Sequence, residues 1–141
     1  MTNSEERRLP IGLQSFKEIR RNNYAYVDKT DIVWYLVNKG MKFNYLSRPR
    51  RFGKSILVDT LQTYFEGRRD LFEGLKIMDL EKEWKVYPVI RLDMSRAGAS
   101  EKTIRSYLNN NFRDYEEVYG IVTHADDSLA DRFHRIIKTA Y

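Results

Sequence analysis

The stretch YLSRPRRFGKSIL (45–57) joins two runs of opposite period and restricts the fold more than any other feature of the chain. Before and into it, MKFNYLS (41–47) puts Met41, Phe43 and Tyr45 on one face, the two-residue repeat of a β-strand. Out of it, SILVDTLQTYFEG (55–67) spaces Leu57, Leu61, Tyr64 and Phe65 along one side of a helix that stops at Gly67. The order strand, basic loop, helix is that of a phosphate-binding loop, whose pattern is G-x-x-x-x-G-K-[ST]. In that pattern Gly53 permits close backbone approach, Lys54 neutralises the terminal phosphates, and the Ser55 hydroxyl is the candidate magnesium ligand. N–H groups at the helix start, aided by the helix dipole, point at phosphate oxygens. One position departs from the pattern. Arg48 stands where the first glycine belongs, with Pro49, Arg50, Arg51 and Phe52 between it and Gly53. Its side chain must therefore point away from a ligand, and the arginines crowd positive charge beside Lys54 that an anion would relieve.

The flanking sequence supplies more elements. After a frayed start, SFKEIRR (15–21) fits a short helix behind Ser15, and YAYV (24–27) alternates like a short strand. Asp28 can cap the helix KTDIVWYLVNKG, which groups Ile32, Val33, Leu36 and Val37 and ends at Gly40. RRDLFEGL and LEKEW read as short helical pieces. YPVIRLD (87–93) is apolar and β-branched, as in a strand of a parallel sheet covered on both faces, with Asp93 at its carboxyl end. From Ser100, Ile104, Tyr107, Leu108 and Phe112 form an amphipathic helix. Another starts at Ser128, with Asp131 completing a capping box and Leu129, Phe133, Ile136 and Ile137 as its stripe.

Charge is unevenly spread along the 141 residues. Residues 1–55 hold 12 Lys/Arg against 5 Asp/Glu, whereas the remainder holds 13 against 15. A basic half attracts an anion, and composition leaves phosphate, nucleic acid and an acidic partner surface all open. There is no cysteine, hence no disulfide framework or thiolate metal site. Two histidines are too few for a zinc cluster. No apolar run approaches membrane-spanning length and the start does not read as a signal peptide, so a cytoplasmic location is expected.

LPIGLQSFKEIRRNNYAYVDKT, then YLSRPRRFGKSIL and YFEGRRDLFEGL, resembles the start of the bacterial AAA-ATPase-like proteins. The likeness runs from about Leu9 to Asp93, with several motifs in the same order, and the SRPRRFGKS form of the loop (Walker A) is typical of that family. The resemblance implies a P-loop NTPase fold with ATP as ligand and a phosphate-binding role for Arg48 to Ser55. Many such proteins carry a PD-(D/E)xK nuclease-like domain at the far end, and none is expected within residues 1–141. Tyr26, Asp28, Lys29 and Thr30 match a YxDKT segment to which no chemistry is assigned. The family's Asp-Glu-terminated strand (Walker B), expected as LIDEYD, is not found here.

Hydrolysis needs an acidic residue for the metal and a residue that orients water. Asp93 in VIRLDMS is the one substitute, a second metal candidate beside Ser55, yet Met94 follows it where a catalytic glutamate often sits. No catalytic residue is assigned, and turnover by this chain alone is not expected. The expected architecture is an α/β three-layer sandwich of P-loop type with a mainly parallel sheet. It is incomplete, because only 41–46 and 87–92 suit a central sheet that normally has about five or six strands. Residues 1–141 thus read as the N-terminal portion of one ATP- and magnesium-binding domain, with an unpaired edge that favours self-association. The alternative is a nucleic-acid-binding module, in which Arg7, Arg8, Arg20, Arg21 and the loop arginines meet a phosphate backbone and Tyr24 and Tyr26 stack on bases. The E-x-K of Glu83 and Lys85 has a helical setting unsuited to a nuclease, and His124 in IVTHADD reads as a surface turn.

Overall fold

The structure is a computed structural model that describes residues 7–40 and 42–141; the first residues of the expected frayed start, and Met41 of the expected strand, lie outside the described residues. The chain divides into two compact units, one up to Val89 and one from Ile90.

The first unit carries α1 (Phe16–Arg21), α2 (Thr30–Asn38), α3 (Lys54–Phe65) and the short α4 (Ile77–Leu80), with a 3-10 turn at Arg69–Phe72. Its core gathers Phe16, Val33, Tyr64, Leu71, Phe72, Leu75 and Ile77. Aromatic packing dominates it. The rings of Phe16 and Phe72 lie 4.8 Å apart, and Phe72 meets Trp84 at 5.1 Å. Contacts at this range add about 1 kcal/mol each beyond burial. Thr30, Thr60 and Thr63 are also buried, and each hydroxyl has a partner. Ser15 caps α1 by accepting the Glu18 N–H, as its position predicts.

Asp28 of the DKT segment caps its own helix, as expected, and reaches further than the sequence disclosed. The Asp28 carboxylate accepts the Thr30 N–H at 2.9 Å, the Thr30 hydroxyl at 2.7 Å and, 48 residues on, the Lys76 N–H at 2.7 Å. The Thr30 hydroxyl oxygen in turn accepts the Ile77 N–H at 3.1 Å. Two helix starts distant in sequence are clasped by one carboxylate and one hydroxyl.

The second unit is a helical hairpin, α5 (Glu101–Tyr119) and α6 (Leu129–Ala140), preceded by a 3-10 turn at Met94–Arg96. Ser128 and Asp131 form the expected capping box, and Ser100 and Thr103 form another. Between the helices Phe112 and Phe133 stack at 5.4 Å. Beside them the buried Arg132 makes a two-pronged ion pair with Glu116, both contacts at 2.7 Å, and reaches Asn109 at 2.5 Å.

The structure overturns the α/β expectation. The described residues form helices and turns, with no strand among them and hence no parallel sheet. A strand is defined by a lateral ladder of backbone hydrogen bonds, and the extended segments spend theirs elsewhere. The Ala25 N–H goes to the Arg8 carbonyl at 2.9 Å, and the Tyr87 N–H goes to the Phe65 carbonyl at the end of α3 at 2.7 Å. Arg91 and Asp93 donate their N–H groups to the hydroxyls of Tyr115 and Tyr107, each at 2.8 Å. These two tyrosines, two turns apart on α5, occupy the place of a neighbouring strand. Phe43 and Tyr45 are exposed, and the segment expected to be buried on both faces leaves Tyr87 open. LEKEW is not helical after Leu80. Trp84 turns at φ 47° and packs on the core.

Candidate functional site

The basic loop and the start of α3 form one side of a cleft of about 670 Å³. Arg51 and Gly53 both adopt left-handed backbone conformations, at φ 68° and φ 75°. At Gly53 glycine is favoured by the backbone angle alone, since a Cβ there would meet nothing within 4 Å. Its carbonyl accepts the Leu57 N–H at 3.0 Å, and α3 begins at Lys54.

That helix start differs from those of α1, α5 and α6, each of which has a serine side chain accepting a first-turn N–H. No side chain caps α3. Its leading N–H groups, on Lys54, Ser55 and Ile56, meet no acceptor among the described residues. They line the cleft together with the partial positive charge of the helix tip. Lys54 sends its ammonium back to the Arg48 carbonyl at 2.5 Å, closing the loop into a ring. An ammonium has three donors, so two remain for other acceptors.

The eight predicted loop residues are all exposed. Arg50, Arg51, Gly53, Lys54 and Ser55 line the cleft, whereas Arg48 contributes its carbonyl, and Pro49 and Phe52 lie outside the lining. None of Arg48, Arg50, Arg51 and Lys54 has an ion-pair partner among the described residues. Four cations within seven residues therefore repel one another, and an anion is the group that relieves them.

Asp93, the other proposed metal ligand, belongs to the second unit. There it accepts the Ser95 hydroxyl at 2.5 Å and the Ser95 N–H at 3.2 Å, opening the 3-10 turn. Its pKa is lowered chiefly by the Ser95 hydroxyl, assisted by the Ser95 N–H and by Arg96 and Arg91. Among the described residues no group of three or more histidines and carboxylates gathers as a metal cage.

Other candidates are engaged elsewhere. Arg20 donates to the carbonyls of Leu71 and Glu73 at 2.8 and 2.6 Å, and Tyr26 packs edge-on against Phe16. Glu83 is paired with Lys85. The His124 N–H binds Asp127 in an exposed turn.

Two features of the cleft were missed in the sequence. Gly12, Leu13 and Gln14 form its opposite side. Asp59, on α3, accepts the Phe16 N–H at 2.7 Å and the Ser15 hydroxyl at 3.3 Å, and so fastens that side to the helix bearing Lys54. A signal was present for the second, because Asp59 is the one charged residue between Ser55 and Phe65.

The sequence model of a family described as Predicted AAA-ATPase matches residues 10–141. A protein of Azotobacter chroococcum mcd 1, described as "Uncharacterized protein in vnfD 5'region", is 37% identical over 96% of this chain. The chain spans about a quarter (26%) of that relative's length. No solved structure matches. No helix among the described residues is long and apolar enough to cross a membrane.

Proposed function

The chain belongs to the predicted AAA-ATPase-like family, and from that membership we propose that Arg48 to Ser55 bind the phosphates of ATP with magnesium. The observation that carries the reading is the uncapped tip of α3, with Lys54 beside it on the cleft. A helix start that holds no side-chain cap and faces a cationic cleft suits an oxyanion. In this reading the N–H groups of Lys54, Ser55 and Ile56 orient the terminal phosphates. Two free ammonium donors of Lys54 reach the outer oxygens, and Arg50 and Arg51 screen the remaining charge.

Magnesium binds proteins through one or two side chains and completes its shell with phosphate oxygens and water. The Ser55 hydroxyl on the cleft fits as one such ligand; bound there, the ion bridges and neutralises the phosphates. The proposal is confined to binding, since the sequence has no Asp-Glu pair closing an apolar segment to support hydrolysis. Arg20 and Tyr26, engaged internally, weaken a nucleic-acid surface, so a nucleotide is the better-supported anion.

The test is a calorimetric titration of the full chain with MgATP, beside Lys54→Ala. Saturable binding that weakens at least about tenfold in the variant, about 1.4 kcal/mol, is expected. Equal affinity in both proteins would remove Lys54 from the site. Binding that falls steeply with salt and is transferred to DNA would favour the nucleic-acid alternative.

A further inference from the structure

A second cleft, of about 330 Å³, opens in the first unit and shares no lining residue with the one at the basic loop. Three aromatic rings line it: Trp34 from α2, Tyr64 from the last turn of α3, and Tyr87 from the extended segment beyond α4. Each ring is held by another. Trp34 meets Tyr35 edge-on at 5.3 Å, Tyr64 packs on Trp84 at 5.7 Å, and Tyr87 meets Phe65 at 5.9 Å. Tyr64 is buried, whereas half of Tyr87 remains open to solvent.

Among the rings stands the carboxylate of Glu81, the first residue past α4. One oxygen accepts the N–H groups of Lys82 and Glu83, both at 2.9 Å, and the other accepts the Tyr64 hydroxyl. All these donors are neutral, and Glu81 has no ion-pair partner among the described residues. Burial disfavours its charge, but the Tyr64 hydroxyl and the N–H groups of Glu83, Trp84 and Lys82 prevail, and its pKa is lowered from 4.5. The Tyr64 hydroxyl moves the opposite way, pushed up to about 12 by burial and by its bond to Glu81. The proton stays on the tyrosine and the negative charge on Glu81. The other charges of the lining are occupied: Lys85 pairs with Glu83 at 2.5 Å, and Lys82 donates to the Met78 carbonyl at 3.2 Å.

A carboxylate that is hydrogen-bonded but not neutralised, set among aromatic rings, favours a cation. Its lone pairs decide which kind. A carboxylate has about four acceptor sites, and those of Glu81 already serve the Tyr64 hydroxyl and two N–H groups. A primary ammonium entering the cleft would leave most of its donors without an acceptor, which is costly. A quaternary ammonium has no donor to satisfy and is attracted by ring faces and a nearby negative charge. The volume, at the small end of ligand sites, suits such a head group.

We propose that this cleft binds a methylated ammonium group, with Trp34, Tyr64 and Tyr87 as its aromatic walls and Glu81 as its counter-charge. A free choline-type molecule and a methylated lysine of another protein share that chemistry. The inference is independent of the phosphate reading.

The test is calorimetric titration of the full chain with choline, with ethanolamine, which lacks the methyl groups, and with 3,3-dimethyl-1-butanol, which keeps the shape of choline without its charge. Choline is expected to bind saturably and at least about tenfold tighter than either analogue. A peptide bearing trimethyl-lysine, titrated alongside, identifies the source: tighter binding than choline points to a protein side chain, weaker binding to a free small molecule. Glu81→Gln removes the preference for choline over its neutral analogue. Because that change also touches the Tyr64 contact, Tyr87→Ala on the half-open ring serves as the independent variant and weakens choline about fivefold. Absence of saturable binding by both choline and the peptide at about 10 mM overturns the proposal. So does equal affinity for choline and either analogue, or choline binding unchanged in Tyr87→Ala.

Discussion

The α5–α6 hairpin and the tip of α3 meet the same difficulty, polar groups and charges with too little water or too few partners, and resolve it in opposite ways. In the hairpin both helix starts are capped by serines, and the buried Arg132 guanidinium is gripped by Glu116 and Asn109. Asp127 and Arg135 close the turn with two more contacts, at 2.7 and 2.8 Å. The pairing with Arg135 and the His124 N–H hold the Asp127 carboxyl well below its usual pKa. The buried charge there has an internal answer. At the tip of α3 the cap is missing, and the cations have no ion-pair partner among the described residues. The hairpin meets its buried charge and its helix starts from within, whereas the tip leaves its first N–H groups and cations open.

If that contrast is sound, the largest stability loss belongs to the hairpin. Glu116→Ala leaves Arg132 buried without its counter-charge and should cost about 3 kcal/mol, read from urea unfolding followed by far-UV circular dichroism. A loss below about 1 kcal/mol would reduce the clasp to an ordinary surface pair.

Asp28 sharpens the comparison, since it brings hairpin-like closure into the first unit. Asp28→Ala removes three accepted hydrogen bonds and should cost about 2 kcal/mol in the same measurement. Burial disfavours its charge, but the bonds from the Thr30 hydroxyl and N–H and from Lys76 prevail, and the pKa is lowered from 3.8. A lowered carboxylate stabilises the folded chain at pH above 3.8, and that contribution fades as pH falls through the folded pKa. Wild type should thus lose more stability than Asp28→Asn between pH 5 and pH 2. Parallel acid curves would count against the clasp.

Ser128→Ala removes one cap and should cost about 1 kcal/mol, with MgATP binding untouched. Smallest in stability is Ser55→Ala, at the open tip, which should shift unfolding by less than about 0.5 kcal/mol. Its effect should appear only as a loss of the magnesium dependence of nucleotide binding. Were Ser55→Ala as destabilising as Ser128→Ala, the two kinds of helix start would be alike after all.

The helices were legible because their signals are local. Ser15, Ser100 and Ser128 mark starts by side-chain chemistry that acts within three residues, and Gly120 ends α5 in a left-handed turn. The Gly53-Lys54-Ser55 start of α3 was legible for the same reason. The sheet was misread because alternation reports only that a backbone is extended. Whether Arg91 and Asp93 bond a strand or the hydroxyls of Tyr115 and Tyr107 depends on residues 14 and 24 positions away. Burial misled in the same way, since β-branched Val89 reads as core and is only half-buried. Asp28 was expected to cap its own helix and does hold the Thr30 N–H, but its reach to Lys76 spans 48 residues and leaves no mark in a local window. The Gly12–Gln14 side of the cleft is tied to the helix after the basic loop in part by Asp59, 43 residues from Phe16.

The long reach of Asp28 and Thr30 also bears on how the chain is made. On a ribosome the segment from Arg48 to Ser55 emerges well before Lys76 and Ile77, whose N–H groups the clasp requires. The first helix starts are therefore written early and locked late, once the growing chain has come round on itself. Nascent chains arrested short of Ile77 hold the whole basic loop without the bonds that bind Asp28 and Thr30 to the later turn.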